Sequence, residues 1–140
     1  MSLQFETVGV VGTGAMGRGI AQIAAQAGSQ VWLFDAGAGA AEKAAAALGE
    51  QWDKLAAKGK LTAEAVAQLK GRLSIAAELT QLAPCQMVVE AVVERLDVKR
   101  QIFGDLEGIV GPDAVLATNT SSLSVTAIAA QLKRDALKVL

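Results

Sequence analysis

The sequence contains no histidine at all. No imidazole is available as a general base, and a zinc site of ordinary composition is excluded. Cysteine is nearly as scarce. Cys85 is the single one, so no disulfide can close within the chain, and a reducing compartment fits. Beside Pro84 and ahead of an apolar run, its thiol reads as packing rather than as a reactive group. Aromatic residues make up only 4% and the formal net charge is −1, with no basic patch, which argues against a nucleic-acid surface. The N-terminus lacks a basic segment followed by an apolar one. The apolar stretch between residues 8 and 34 is broken by Arg18 and by glycines, so neither a signal peptide nor a membrane span is expected, and the cytoplasm is the default location.

What the chain does have is apolar residues, 52% against 19% charged over 140 residues, enough for one globular domain around a single core. Alternating strand-like and helix-like segments place it in the α/β class. The most informative stretch runs from Thr7 to Asp35. Val8, Val10 and Val11 make an apolar, β-branched run too short for a helix, and Gly12, Gly14 and Gly17 follow at the spacing G-x-G-x-x-G. Ile20, Ile23, Ala24 and Ala27 then recur every three or four residues, the signature of one helix face, with Gly28 where a left-handed cap would end it. Val31 to Phe34 form a second apolar run, closed by Asp35.

Each of these positions has a physical reason. Gly12 permits a tight turn out of the strand, Gly14 lets backbone approach a pyrophosphate, and Gly17 lets the helix pack closely on the sheet. The leading N–H groups of the helix, near Ala15 and Met16, face the phosphates with the positive end of the dipole behind them. Thr13 completes the turn. Asp35 stands eighteen positions after Gly17, close to the roughly twenty that puts an acid within reach of an adenosine ribose. Its charge accepts from the 2′- and 3′-hydroxyls and repels a 2′-phosphate, and Ala36, Gly37 and Ala38 offer no arginine to receive one. NAD is favoured over NADP. An ordinary strand-turn-helix without a ligand shares the glycine spacing; the flanking strands, the helix period and Asp35 speak for the cofactor site.

Further along, Ala41, Ala44, Leu48, Trp52 and Leu55 predict a helix from Ala40 to Ala57 ended by Gly59. Thr62 is placed to cap a second helix through Lys70, the two forming a pair that leans off the sheet. Lys54, Lys58 and Lys60 there read either as a solvated face or as contacts to phosphates of a large anionic substrate. Leu73 to Ala76 is a third strand and Glu78 to Leu82 a helical turn. Gln86 to Val93 is a fourth strand, nearly continuous in apolar residues as one covered on both faces would be. Asp97 is placed to cap a helix with Ile102, Phe103, Leu106, Ile109 and Val110 as its buried stripe, ended by Gly111-Pro112. Ala114 to Thr118 is a fifth strand, Asn119 to Ser122 a polar turn, and Val125, Ile128, Ala129 and Leu132 mark another helix. The expected fold is a Rossmann-type, doubly wound, mainly parallel sheet. Its ligand edge would carry Gly12 to Gly17, Asp35, Glu94 and Asn119 to Ser122.

Three segments together, VGVVGTGAMGRGIAQIAAQAG, VVEAVVERLDVKRQIFGDLE and LATNTSSLSVTAIA, resemble the 3-hydroxyacyl-CoA dehydrogenase family, and the resemblance covers Thr7 to Lys133. The GKLTAE stretch looks like the branch acting on 3-hydroxyadipyl-CoA in phenylacetate breakdown, or like 3-hydroxybutyryl-CoA dehydrogenases. By position, the resemblance implies that Glu94 and Lys99 contact NAD and that Asn119 lies beside the nicotinamide ribose. It also implies that Ser121 hydrogen-bonds the 3-oxygen of an acyl-CoA substrate and that Lys58 contacts the CoA. Glu94 also reads as a surface acid at a helix start, and Ser122 or Ser124 as an N-cap.

Family members continue into a sixth strand carrying His and Phe-Phe-Asn-Pro, a Glu that orients the His, and a helical domain that closes on the substrate and makes the dimer. This sequence ends in KRDALKVL, which reads as a fragment stopping before that strand and domain. Two functions stay open. One is NAD-dependent oxidation of 3-hydroxyacyl-CoA in fatty acid or phenylacetate degradation, with this chain as the cofactor half; the other is an NAD(H)-binding module without chemistry of its own. With Ala136, Leu137, Val139 and Leu140 leaving a strand edge open, a homo-oligomer is expected.

Overall fold

The computed structural model describes residues 6–92, 96–118 and 137–139. β1 (Thr7–Val11) leads into α1 (Ala15–Gln26) and β2 (Gln30–Phe34), the order expected of the first unit. α2 (Ala40–Ala57) and α3 (Ala63–Gly71) follow, then β3 (Leu73–Ile75), a 3-10 turn (Leu79–Leu82), β4 (Met87–Glu90), α4 (Leu96–Ile109), β5 (Val115–Thr118) and β6 (Leu137–Val139). The six strands form one sheet in the order β3-β2-β1-β4-β5-β6, and every described pairing is parallel. Strand order reverses between β1 and β4, where the glycine turn leaves the sheet.

The alternation of β1 divides the core. Val8 and Val10 face α1 and α2, packing with Val31, Leu33, Ala21, Ala25, Leu48 and Trp52. Val11 faces the other way, with Val88, Leu116, Phe103, Leu106 and Val110. Cys85 joins this second cluster; burial pushes its thiol up to about 12, as an inert packing group requires.

Helix ends follow local chemistry. Gly28, at φ +105°, closes α1 with its N–H on the Ala25 carbonyl (3.1 Å), while Ser29 N–H reaches Ala24 (3.0 Å). The Arg72 guanidinium donates to the Ala25 carbonyl as well (2.8 Å), placing a cation at the negative end of the α1 dipole. The Thr62 hydroxyl accepts from Ala65 N–H (3.0 Å), a cap of the kind that contributes about 1 kcal/mol.

Four expectations are corrected. The α2–α3 pair does not stand clear of the sheet, because Trp52, Val66 and Leu69 share one buried cluster with Val31 and Leu33. β4 stops at Glu90 rather than Val93, since the Glu90 carboxylate accepts from Val92 N–H and turns the chain. Asp97 is not the cap of α4: the helix already begins at Leu96, leaving Asp97 in its first turn. The sheet does not stop before a sixth strand, for Leu137–Val139 pair with Leu116–Thr118. The helix expected around Val125 to Leu132, and the caps Ser122 and Ser124, lie outside the described residues.

Candidate dinucleotide site

The end of β1 is held from both sides, with Val11 level with Phe34 of β2 and Glu90 of β4. The chain leaves the sheet at Gly12, whose φ of +98° is a conformation side chains rarely adopt; a Cβ there would lie 2.7 Å from the Ala91 carbonyl oxygen. Gly17 is required by close approach. A Cβ on it would stand 1.8 Å from the Gly12 carbonyl oxygen, so α1 is seated directly against the turn.

Gly14 differs from both. Nothing lies within 4 Å of the place its Cβ would take. It is the N-cap of α1, no side chain caps the helix, and the first intrahelical bond runs from Arg18 N–H to the Gly14 carbonyl (2.9 Å). The N–H groups of Ala15, Met16 and Gly17 are therefore the leading donors of the helix, with its positive end behind them. An open approach to backbone donors fits the pyrophosphate of a dinucleotide.

Asp35 closes the other side. Its Oδ2 accepts from both Thr13 N–H (2.7 Å) and the Thr13 hydroxyl (2.8 Å), and its Oδ1 accepts from Gly37 N–H (2.8 Å). Partial burial on its own would raise the carboxyl pKa; the bonds from Gly37 and Thr13 outweigh it and hold the pKa below its ordinary value. A depressed carboxyl contributes stability above its unfolded pKa and loses it as pH falls through the folded one, so at neutral pH Asp35 is ionised. An ionised carboxylate with accepting capacity left on Oδ1 suits a ribose hydroxyl and opposes a 2′-phosphate.

A second acid at the strand ends was not singled out in the sequence. Glu90 is fully buried, as are Lys99 and Thr118. Glu90 Oε2 accepts from Lys99 Nζ (2.8 Å) and Val92 N–H (2.7 Å), and its Oε1 accepts from the Thr118 hydroxyl. The signal was an acid inside the apolar run MVVE, since a glutamate is almost never fully buried unless paired.

The structure thus brings Gly12, Thr13, Gly14, Ala15, Met16, Gly17 and Asp35 together. Lys99 emerges from α4 into the buried pair with Glu90. Lys58 stands apart, exposed at the far end of α2, a helix about 27 Å long at 1.5 Å per residue. Lys54 is exposed and 4.0 Å from Glu50. Glu94, Asn119 and Ser121 lie outside the described residues.

The family described as "3-hydroxyacyl-CoA dehydrogenase, NAD binding domain" matches residues 7–139. The chain is 41% identical over 133 residues to the 3-hydroxyadipyl-CoA dehydrogenase of Escherichia coli K12, covering 95% of this chain and 28% of that protein. It is 38% identical over 134 residues to the 3-hydroxybutyryl-CoA dehydrogenase of Bradyrhizobium diazoefficiens, covering 96% of this chain and 46% of that one. The crystal structure of a 3-hydroxybutyryl-CoA dehydrogenase from Escherichia coli K12 superposes with a TM-score of 0.88 at 42% identity, over 94% of this chain and 28% of that one. The chain spans less than half the length of these relatives. A glycine turn at the strand-order reversal, an ionised acid tied to it, and a match along nearly the whole chain agree: this chain belongs to the 3-hydroxyacyl-CoA dehydrogenase family, as its NAD-binding domain.

Proposed function

We infer that this chain binds NAD(H) along the carboxyl edge of β1 and β2 and forms the cofactor half of an enzyme oxidising 3-hydroxyacyl-CoA to 3-oxoacyl-CoA. The observation that carries the reading is the open space at Gly14, at a helix start without a side-chain cap, with Asp35 bonded to the same turn. Bound NAD would supply the hydride acceptor. The N–H groups of Ala15, Met16 and Gly17 would hold the pyrophosphate, which the bare Gly14 lets approach; Gly12 and Thr13 would shape the turn, their own N–H groups being bonded to Phe34 and Asp35, and Asp35 would take the ribose hydroxyls. Glu94 and Asn119 would serve the nicotinamide side, Ser121 the 3-oxygen of the acyl-CoA, and Lys58 the CoA; Lys99, fully buried against Glu90, would act there through that pair rather than by touching NAD. Their support is the positional resemblance, with Lys58 exposed as such a contact requires.

One observation favours the module reading for the chain alone. Hydride loss from C3 must be accompanied by loss of the hydroxyl proton, and no histidine is present among these 140 residues to take it. Acetoacetyl-CoA with NADH separates the two: turnover near that of ordinary dehydrogenases rejects the module, while NADH binding without turnover supports it. Absence of NADH binding by fluorescence titration overturns both. A homo-oligomer belongs to the same reading, supported by the edge position of β6. A cytoplasmic setting is supported by the lone buried cysteine. Among the described residues no helix is long and apolar enough to cross a membrane.

Asp35→Ala tests the cofactor preference. Loss of a charged acceptor costs roughly 1.5 to 3 kcal/mol of NAD binding, and the gap between NAD and NADP should narrow. Fluorescence titrations with NADH and NADPH read both numbers; an unchanged ratio counts against Asp35 as the ribose acceptor.

A further inference from the structure

The side chain of Thr13 is spent on Asp35. Thr13 is 7% exposed, and two of its donors, backbone N–H and hydroxyl, converge on a single carboxylate oxygen at 2.7 and 2.8 Å. A carboxylate on an aspartate side chain can rotate, and one bond alone would leave it swinging about that contact. Two donors from one buried residue, with Gly37 N–H on the opposite oxygen at 2.8 Å, fix both its position and its plane. The bonds also span twenty-two residues of sequence, from the glycine turn to the end of β2. They set the distance between the backbone that meets phosphates and the acid that meets a ribose.

We propose that Thr13 is the positioning residue for cofactor selection: its hydroxyl holds Asp35 in the one orientation that accepts a 2′,3′-diol and excludes a 2′-phosphate. The inference rests on the NAD reading above and deepens it. Thr13 acts through Asp35 and need not touch the cofactor with its side chain. Without the hydroxyl, the carboxylate keeps its charge but gains freedom to turn toward solvent, so acceptance of the diol weakens and repulsion of a 2′-phosphate is relieved. The two effects move the preference in the same direction. An ordinary structural threonine would affect both cofactors alike.

The experiment uses the 140-residue chain with Thr13→Val, which keeps the branched shape in a buried position, Thr13→Ser, which keeps the hydroxyl, and Asp35→Ala alone and combined with Thr13→Val. NADH and NADPH dissociation constants are measured by fluorescence titration, with thermal melts alongside. Thr13→Val is expected to weaken NADH roughly tenfold while NADPH changes little, a loss of the size one bond to a charged group gives. Thr13→Ser should restore the unsubstituted ratio. In the Asp35→Ala background Thr13→Val should add nothing, the non-additivity expected of residues acting as one unit. Equal weakening of both cofactors, failure of Ser to restore the ratio, or a full additional effect on top of Asp35→Ala would each overturn the proposal. If Asp35→Ala itself leaves the NADH/NADPH ratio unchanged, it is the underlying NAD assignment that fails.

Discussion

Replacing Glu90 with alanine is expected to cost the fold about 3 to 5 kcal/mol, because it leaves the Lys99 ammonium buried without its charge partner. Both side chains are within 1% of complete burial at a separation of 2.8 Å, so water offers Lys99 little compensation unless the structure opens. The same carboxylate receives the Val92 N–H and the Thr118 hydroxyl, so its loss leaves two further donors unsatisfied at the ends of β4 and β5. Urea denaturation followed by circular dichroism measures the loss. Glu90→Leu combined with Lys99→Met should recover most of it, since an apolar pair of similar volume is often as stable as a buried ion pair. A change below about 1 kcal/mol in Glu90→Ala would show that the site is hydrated in solution and that the pair carries no burden.

The glycine turn supplies the second large effect, through two substitutions three residues apart with opposite consequences. Gly17→Ala places a Cβ where the Gly12 carbonyl oxygen lies only 1.8 Å away. Backbone is on both sides of that clash, so α1 must back away from the sheet and uncover Ala21 and Ala25, which are completely buried. Destabilisation above roughly 4 kcal/mol is expected, in the range reserved for a named steric or packing failure. At Gly14 an added Cβ meets nothing within 4 Å, so Gly14→Val should stay folded and melt far closer to the unsubstituted temperature than Gly17→Ala. Its side chain instead fills the approach to the helix donors, and NADH binding should vanish. Thermal melts and NADH titration of the two variants read both consequences. A folded Gly14→Val that still binds NADH tightly would remove the phosphate-binding role of the turn.

How far the sequence disclosed this arrangement depends on how local each signal is. The first strand-helix-strand unit was legible because glycine spacing and strand length act within thirty residues, but the buried face of α1 was not: it is Gly17, Ala21 and Ala25, while Ile23 of the expected stripe is 70% exposed. The ends of α2 were legible for the same local reason. Glu90 was not: its partners Lys99 and Thr118 sit nine and twenty-eight residues away, and only the register of β4 beside β5 puts Thr118 opposite it. In sequence the neighbouring Glu94 drew the attention instead. Thr13 could be named as part of the turn, yet its hydroxyl bond to Asp35 depends on two separate strand ends meeting at one level. Asp97 looked like a cap because aspartate favours that position, but the helix starts one residue earlier, as terminal assignments commonly shift. The same long-range character hid Arg72, which reaches back forty-seven residues to the carboxyl end of α1.

The central place of β1 also bears on how the turn behaves in time. Its amides and carbonyls are shared with strands on both sides, and its end is pinned by Gly12 N–H on Phe34 and Ala91 N–H on the Val11 carbonyl. Strands of this kind exchange their amide hydrogens only in the largest openings of a domain, whereas loops on the rim exchange in small, frequent ones. The leading donors of α1 therefore grow out of a strand expected to open slowly. A ligand arriving there meets a shape already frozen by folding, and the entropy that an adaptable loop would surrender on binding has been given up beforehand.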